Sequence, residues 1–328
     1  MLNEILNNLH LKFSGDLPTI ERIAYELAED QAAQNVIYFE VRYSPHFLSN
    51  TIAHFFVNEP VPTDSVLAVT PDDTIGAVVR GLRRGEKDFG IKSRIILCSI
   101  TGLVGWCSEV VQMAQRWSSQ GVVAIDIAGD ESSYTAEEVS AFERAKQLGI
   151  HRTVHSGEMG PPSNVEYAVK RLFAERIGHG YHVIQDRSIY DMCRKMDIHF
   201  ETCPYSSYLT GSVPKHLKQH HPIVTFALDN VNFSINKDDP TQTASTLDKE
   251  YHLLQRMGLN ELHFVRAVKS KCSTIVLPAR IREESVARPP LPIVWFRSGE
   301  QKQKQQQQQQ QEPTINETTD YLKGDPIA

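Results

Sequence analysis

Histidine and acidic residues follow several segments whose composition favours β-strands. In the clearest case, HRTVHSGE at residues 151–158, Thr153 and Val154 suit a strand and precede a histidine and a glutamate. Comparable strand-end positions are occupied by His155, Glu158, His179, Asp238 and Asp239. Imidazole nitrogens and carboxylate oxygens are zinc ligands in catalytic sites, where the metal acidifies water for attack on an electron-poor carbon. The residue types are therefore compatible with metal-assisted hydrolysis.

In such a site His179 would orient a water molecule or accept its proton, and Glu158 would stay protonated and donate to a ring nitrogen. Each residue also has an ordinary structural explanation. A single histidine near a strand end commonly packs in the core or at the surface, and this chain has 13 histidines. Asp239 precedes Pro240, a typical arrangement for a turn or a helix cap. The residues alone leave both explanations open.

The elements that would position these residues alternate regularly between strands and helices. Seven strand-like segments, each followed by a helix or a helix-sized gap, occur between residues 35 and 240. This alternation predicts parallel strands covered by helices, either in an open doubly wound sheet or in a closed (β/α)8 TIM barrel. No GxGxxG follows the first strand, and polar residues gather at the strand ends, where barrels build their sites. We therefore favour an α/β barrel, one strand short of eight.

Charged residues inside the strands predict a polar layer within this barrel. Glu40 and Arg42 alternate with apolar residues in the first strand, so they are expected to pair in the interior, and Asp126 is a candidate for the same layer. Alternation in the last strand predicts that Lys237 points away from the cavity, into the layer between strands and helices.

Bulk composition limits the classes of partner and compartment. The formal net charge of -6 disfavours nucleic acid, and no apolar run is long enough to span a membrane. Five cysteines without a CxxC pair predict free thiols in a reducing compartment. The first residues lack the basic start and apolar run of a signal peptide. We expect a cytoplasmic protein with a small-molecule substrate.

The chain divides by composition into two parts. Residues 1–278 carry the strand and helix pattern of the barrel, which is interpreted as N-terminally truncated. Residues 279–328 contain a glutamine run and several prolines without apolar periodicity. Such a segment predicts a low-complexity, disordered tail.

Several long motifs resemble the adenosine deaminase family, the zinc aminohydrolases of purine salvage. They occur in the family's order between about residues 13 and 270, and they are ERIAYE, FEVRYSPH, VVAIDIAGDE, HRTVHSGE, RIGHGYH, CPYSSYLTG and DDP. The resemblance implies an amidohydrolase-type (β/α)8 barrel with one zinc ion per chain. It also implies hydrolytic deamination of adenosine and deoxyadenosine to the inosine product plus ammonia.

The same resemblance implies roles for individual residues. His155 and Asp238 correspond to zinc ligands, and Asp238 would also hold the attacking water. His179 corresponds to the general base, and Glu158 to the acid that protonates purine N1 and makes C6 electrophilic.

Two further positions correspond to residues that bind the purine. Asp239 resembles the residue that contacts N7, and Gly129 resembles the residue whose backbone N–H meets N3. The closeness of HRTVHSGE and CPYSSYLTG favours the adenosine enzymes over their AMP-deaminating relatives.

The chain departs from the family pattern at the first strand, HxHLDG, which supplies two more zinc histidines. No HxH pair occurs in this sequence, and the nearest candidate is the single His10 in NLHLKFSGD. Catalytic zinc normally has at least three protein ligands, so we expect little bound zinc and little turnover. The strands near residues 36 and 233 also lose their shared neighbour, which leaves two open edges.

Three interpretations follow from these observations. The first is an incomplete zinc-dependent adenosine deaminase. The second is a catalytically inactive paralogue that binds nucleosides or acts through protein interactions. The third is an amidohydrolase for a different base, which GHG and DDP alone would permit but which the longer motifs disfavour.

Overall fold

The computed structural model describes residues 13–51, 68–213 and 221–274, with side chains described as far as residue 268. These residues belong to the first of two units, which spans residues 1–282. His10 and the predicted tail at 279–328 lie outside the described residues.

Seven parallel strands form one sheet in which every strand pairs with its neighbour in the chain. They are β1 (Tyr38–Tyr43), β2 (Lys92–Ile100), β3 (Val122–Ala128), β4 (His151–Ser156), β5 (Arg176–His179), β6 (His199–Thr202) and β7 (Phe233–Ile235). A doubly wound sheet would reverse its strand order at a switch point, whereas this order runs from β1 to β7 without reversal. The prediction of a (β/α)8-type fold is confirmed, with β1 and β7 at the two edges of the described sheet.

Helices follow the strands and begin where the sequence supplies capping residues. The α-helices of the described residues are α1 (Leu17–Ala33), α2 (Pro45–Leu48), α3 (Pro71–Phe89), α4 (Trp106–Trp117), α5 (Ala136–Gln147), α6 (Pro162–Arg171), α7 (Arg187–Lys195), α8 (Pro204–Thr210), α9 (Pro222–Leu228), α10 (Pro240–Thr243), α11 (Leu247–Arg256) and α12 (Glu261–Thr274). Thr70 and Thr135 form capping boxes with the residues three positions later, which fixes the starts of α3 and α5. The strands β5 and β6 are shorter than their motifs, because a 3-10 helix at Tyr181–Gln185 and α8 occupy the rest.

The predicted polar layer is present and links strands across the barrel interior. Arg42 of β1 lies 3.1 Å from Asp126 of β3 (Nε to Oδ2) and also pairs with Glu201 of β6. Arg176 of β5 lies 2.6 Å from Glu40 and 2.5 Å from Glu201. Burial by itself would raise the pKa of Glu40 and Glu201, but the arginines outweigh it and lower both pKa values. The predicted places of Glu40, Arg42 and Asp126 in this layer are confirmed, but the expected pairing of Glu40 with Arg42 is wrong: Glu40 pairs with Arg176, and Arg42 pairs with Asp126 and Glu201.

Lys237 is buried beside β7, and its charge acts on Glu250 of α11. Glu250 is itself fully buried, accepts hydrogen bonds from Ser245 Oγ at 2.6 Å and from the Tyr205 backbone at 3.0 Å, and has a pKa raised to about 7 by burial. The orientation of Lys237 toward the helices stays a prediction.

The predicted free thiols are confirmed for the side chains that the structure describes, and the reducing compartment stays a prediction. Cys98, Cys107, Cys193 and Cys203 are buried and free, and burial raises the pKa of each thiol. Among the described residues, no helix combines the length and the apolar composition that crossing a membrane requires.

A buried histidine starts α9. The Ile223 backbone N–H donates to Nδ1 of His221 at 3.1 Å, so Nε2 carries the proton and donates to Ser207 Oγ at 2.9 Å. His221 is 3% exposed, and burial lowers its pKa from 6.5 to about 3. The fold therefore requires the neutral ring.

Acidification from pH 7 to pH 5 should destabilise the protein through His221. The unfolded chain binds a proton in this range that the folded protein excludes, so the free energy of unfolding falls by up to about 1.4 kcal/mol per pH unit from this residue. Urea unfolding at both pH values measures the loss. His221→Asn keeps an acceptor for the Ile223 N–H but does not titrate, so it should lose less stability on acidification. An identical pH dependence in both proteins would contradict this role.

Candidate metal and active site

Four of the predicted site residues meet at the carboxyl ends of the strands. His155 lies in β4, Glu158 follows β4, His179 ends β5 and Asp238 follows β7. The rings of His155 and His179 are 5.3 Å apart between centroids. His179 Nε2 lies 3.4 Å from Glu158 Oε2 and 3.9 Å from Asp238 Oδ2. These residues come from the ends of three strands and are spread over 84 positions of the sequence, from 155 to 238. They nevertheless surround one point, as expected for a barrel.

Two of these residues have an unusual backbone conformation. His179 has φ of 63° and Asp238 has φ of 61°, in the left-handed region that few non-glycine residues adopt. Such conformations cost about 1–3 kcal/mol and cluster at functional sites, where the surrounding fold enforces them. The sequence does not reveal this feature, because histidine and aspartate are ordinary residues at the end of a strand.

The glycines on either side of His179 permit close packing. A Cβ at Gly178 would lie 3.2 Å from Cγ of the His155 ring. Gly180 has φ of 70°, and a Cβ there would lie 2.3 Å from Cδ1 of Phe200. The GHG motif therefore brings β5 against the His155 ring on one side and against Phe200 on the other.

The variant Gly180→Ala should lower the free energy of unfolding by about 2–3 kcal/mol, because it combines backbone strain with overpacking. Gly149→Ala is a matched control. Gly149 has φ of 70°, but nothing lies within 4 Å of its added Cβ. The control should lose only about 1 kcal/mol in chemical denaturation. Equal losses of unfolding free energy in the two variants would mean that the contact with Phe200 adds nothing to the destabilisation.

A carboxylate that the sequence interpretation did not select holds the loop that carries Glu158. Glu131 accepts backbone hydrogen bonds from Gly157 at 2.5 Å, from Glu158 at 3.1 Å and from Met159 at 2.9 Å. The Glu131 carbonyl also accepts a hydrogen bond from Asn164 at 2.6 Å. The sequence offered one indication of Glu131, because it is the last residue of the family-like motif VVAIDIAGDE. The motif does not reveal which groups Glu131 contacts.

A second carboxylate, that of Asp126, fixes the orientation of the His155 ring. Its Nδ1 lies 2.9 Å from Oδ2 of the fully buried Asp126. Burial disfavours the imidazolium, but the Asp126 charge outweighs this and raises the pKa of His155 to about 9. A carboxylate at Nδ1 leaves Nε2 as the ligand nitrogen, which is the common arrangement behind metal-binding histidines. The donor set therefore suits a divalent metal such as zinc.

Cys203 joins the site although sequence reasoning gave it no role. It follows β6 directly, and one ligand atom each of His179, Cys203 and Asp238 lie within 4.8 Å of one another. Cys203 is 6% exposed, while the side chain of Asp238 is 24% exposed. The signal that could have found Cys203 is its position at the end of a strand, shared with the predicted residues.

Gly129 and Asp239, the two predicted substrate-binding residues, also lie at the carboxyl ends of strands. Gly129 follows β3 with φ of 113°, a conformation that favours glycine. Asp239 stands before α10, but its side chain makes no capping hydrogen bond. Asp239 is exposed, yet limited hydration of its carboxyl group and the charge of Asp238 raise its pKa to about 6. The side chain is therefore not used to cap the helix.

Sequence comparisons place these residues in a known family. A family model described as adenosine deaminase matches residues 12–285. The chain is 45% identical over 277 residues to adenosine deaminase of Xenopus laevis, covering 83% of this chain and 75% of the relative. It is 42% identical over 281 residues to adenosine deaminase of Mus musculus, covering 84% of this chain and 78% of the relative.

Solved structures share the fold at lower sequence identity. The N6-mAMP deaminase of Arabidopsis superposes with a TM-score of 0.73 at 22% identity, covering 87% of this chain and 81% of that chain. An amidohydrolase of Burkholderia ambifaria, solved with bound Zn, gives a TM-score of 0.72 at 24% identity, covering 84% of this chain and 72% of that chain. From the matched family model and the identity to its members, the chain belongs to the adenosine deaminase family.

Proposed function

We propose that this protein acts in zinc-dependent hydrolytic deamination of adenosine and deoxyadenosine, releasing ammonia, as a cytoplasmic step of purine salvage. The observation that carries the proposal is the meeting of Glu158 and Asp238 at Nε2 of His179, 3.4 and 3.9 Å away. An acid, a base and a metal-binding carboxylate at one point are what addition of water to a purine carbon requires.

Each residue contributes one step of this chemistry. His155 and Asp238 would hold zinc, which supplies Lewis acidity to water when bound. His179 accepts the proton of the attacking water, since its Nε2 faces the same point as the Asp238 carboxylate. Glu158 donates a proton to purine N1, which makes C6 more electrophilic.

The purine is positioned by groups at the carboxyl ends of β3 and β7. The backbone N–H of Gly129 donates to N3, and Asp239 contacts N7. With its pKa raised to about 6, Asp239 is protonated more readily than an ordinary aspartate and can then donate to a ring nitrogen. Its lack of a helix-capping bond supports a role toward substrate.

The predicted level of activity is low. Of the family's zinc ligands, this sequence offers His155 and Asp238 but no HxH pair. Fewer ligands bind zinc more weakly, so we expect substoichiometric metal and slow turnover. The alternative function, nucleoside binding without catalysis, is favoured by the same absence of an HxH pair.

The proposal is tested by measuring zinc content and inosine formation on the purified chain, with Glu158→Gln as the control. We expect slow loss of the adenosine absorbance band that increases with added zinc and falls at least about 100-fold in the control. Zinc-loaded protein that converts adenosine no faster than Glu158→Gln, but still binds it in calorimetry, would establish the alternative. Stoichiometric zinc with rapid inosine formation would instead show that the chain has ligands beyond His155 and Asp238.

A further inference from the structure

The loop that carries Glu158, residues 157–160, is bonded from two sides by groups of opposite polarity. Its N–H groups donate to the carboxylate of Glu131. Its first carbonyl, that of Gly157, accepts a hydrogen bond from the His182 backbone N–H at 2.9 Å. Its last carbonyl, that of Gly160, lies 2.9 Å from Nδ1 of the His182 ring. Glu131 thus holds the donors of this Glu158 loop, and His182 holds the acceptors at both of its ends.

The ring of His182 also contacts the segment that follows α8, residues 211–213. Its Nε2 lies 3.1 Å from the carbonyl oxygen of Ser212, a residue that is 4% exposed. The Ser212 hydroxyl donates to the Ser207 carbonyl at 3.2 Å, which ties this segment to α8. His182 lies in the 3-10 helix after β5, whereas the Glu158 loop follows β4 and α8 follows β6. The half-buried ring therefore bridges the segments that follow the two neighbours of β5 in the sheet.

Both ring nitrogens of His182 face carbonyl oxygens, which accept hydrogen bonds but cannot donate them. A neutral imidazole has one N–H donor and one acceptor nitrogen, so it satisfies one carbonyl and turns a lone pair toward the other. The imidazolium ion has two N–H groups and bonds both carbonyls. Histidine side chains exchange this proton between about pH 5 and pH 8. Acidification across this range should therefore complete the bridge.

The charged groups around His182 lie on α6, α7 and the Glu158 loop. Of the helices packed against its 3-10 helix, α6 and α7 carry charges and α9 carries none. The charged residues of α6 and α7 are Glu166, Lys170, Arg171, Arg187, Asp191, Arg194 and Lys195. Glu166 pairs with Lys170 at 2.5 Å and Arg187 with Asp191 at 2.8 Å, and solvent screens both exposed pairs. On the loop side, Glu131 is bonded to the loop amides and Glu158 faces His179.

Other titratable groups on these elements keep their charge state between pH 5 and pH 8. Burial raises the pKa of Tyr190 and of Cys193 on α7. Burial lowers the pKa of His221, which precedes α9, to about 3. Hydrogen bonds from α7 lower the pKa of Asp186, which follows the 3-10 helix. A change of the bridge in this range is therefore attributable to the His182 ring.

We propose that His182 is a positioning residue for Glu158, and that its protonated ring ties the Glu158 loop to residues 211–213. The Glu158 carboxylate lies 3.4 Å from Nε2 of His179, and the loop sets this distance. A neutral ring releases one of the two carbonyls and loosens the loop. The effect on turnover rests on the proposed function, in which Glu158 is the proton donor, whereas the bridge itself does not require turnover.

Amide hydrogen exchange of the full chain tests the bridge without substrate. Rates are measured from pH 8 to pH 5.5 and corrected for the intrinsic pH dependence of exchange. Protection of residues 157–160 and 211–213 should rise at least about fivefold toward pH 5.5, because protonation adds a hydrogen bond from a charged donor. The central strands should not gain protection, because protonation of His221 in the unfolded chain lowers the free energy of global unfolding over the same range.

Two histidine variants identify the ring responsible. His182→Gln keeps an amide donor that does not titrate in this range, so the pH dependence should disappear at both segments. His252→Gln is the control, because His252 is exposed on α11 and its Nδ1 lies 2.7 Å from the Asp248 carbonyl. This control should keep the wild-type pH dependence. The proposal is overturned by pH-independent protection in the wild type, a result that does not need the variant to fold, or by unaltered pH dependence in His182→Gln.

Kinetics connects the bridge to the chemical step. With added zinc, His182→Gln should lower kcat for adenosine about tenfold and change KM less than about twofold, because a displaced proton donor affects the reaction more than purine binding. A higher KM with unchanged kcat would contradict the positioning role. The pH-dependent bridge without inosine formation supports the bridge while contradicting the proposed deamination, and inosine formation with pH-independent protection does the reverse.

Discussion

The variant Arg42→Met should lower the free energy of unfolding by about 3 kcal/mol, because Asp126 and Glu201 each lose one of two cationic partners and keep only His155 and Arg176. Arg42 lies 3.1 Å from Asp126, which is fully buried, and also pairs with Glu201, which is 7% exposed. Methionine keeps an unbranched apolar stem of similar length to the aliphatic part of arginine and removes the guanidinium group with its charge and hydrogen bonds. Guanidinium unfolding, with the slope checked for a two-state transition, measures the loss.

An exposed arginine of the same chain provides the control. Arg80 pairs with Glu21 at 2.7 Å, but its side chain is 57% exposed. Solvent screens that pair, so Arg80→Met should cost no more than about 1 kcal/mol. A loss in Arg42→Met as small as in the control would show that the polar layer does not hold β1 to β6.

The variant Glu131→Gln should loosen the loop that carries Glu158 and reduce zinc-supplemented deamination about 100-fold, the usual effect of a displacement of about 1 Å in a reacting group. The two carboxylate oxygens of Glu131 accept three backbone N–H groups, at residues 157, 158 and 159. An amide retains one acceptor oxygen and turns its NH2 group toward another donor. Glu131 is thus a positioning residue, since it contacts the loop rather than the reacting atoms.

Amide hydrogen exchange separates this role from general destabilisation. Exchange at residues 157–159 should become at least about tenfold faster in Glu131→Gln, while amides of the central strands keep their protection. Glu166→Gln, which removes an exposed i,i+4 pair with Lys170 on α6, should leave the loop unchanged. Unaltered exchange at 157–159 in Glu131→Gln would contradict the positioning role.

Arg42 and Glu131 stabilise two neighbouring regions, the interior of the barrel and the loop that carries Glu158. The polar layer of Arg42, Arg176 and their carboxylates fixes the interior of the barrel, and Asp126 connects it to the ring of His155. Glu131 fixes the adjacent loop. Stability of the layer and geometry of the site are therefore linked through Asp126, which contacts both Arg42 and His155.

Sequence alone determined the alternation of strands and helices, the barrel class and the family. Local signals sufficed for these features, because capping threonines such as Thr70 and Thr135 act within one helical turn and strand composition acts within a few residues. Motif resemblance also selected His155, Glu158, His179 and Asp238, which the structure then brings together.

Only the tertiary structure decided which other residues join the site and what holds it. Arg42 meets Glu201 across 159 positions, Glu131 reaches the loop 26 positions later, and Cys203 comes next to Asp238. Such contacts depend on how far the sheet curves and on which way each strand end faces, and neither is encoded in a local spacing. The left-handed backbones of His179 and Asp238 have the same origin, since packing of the whole barrel enforces a conformation that neither residue prefers.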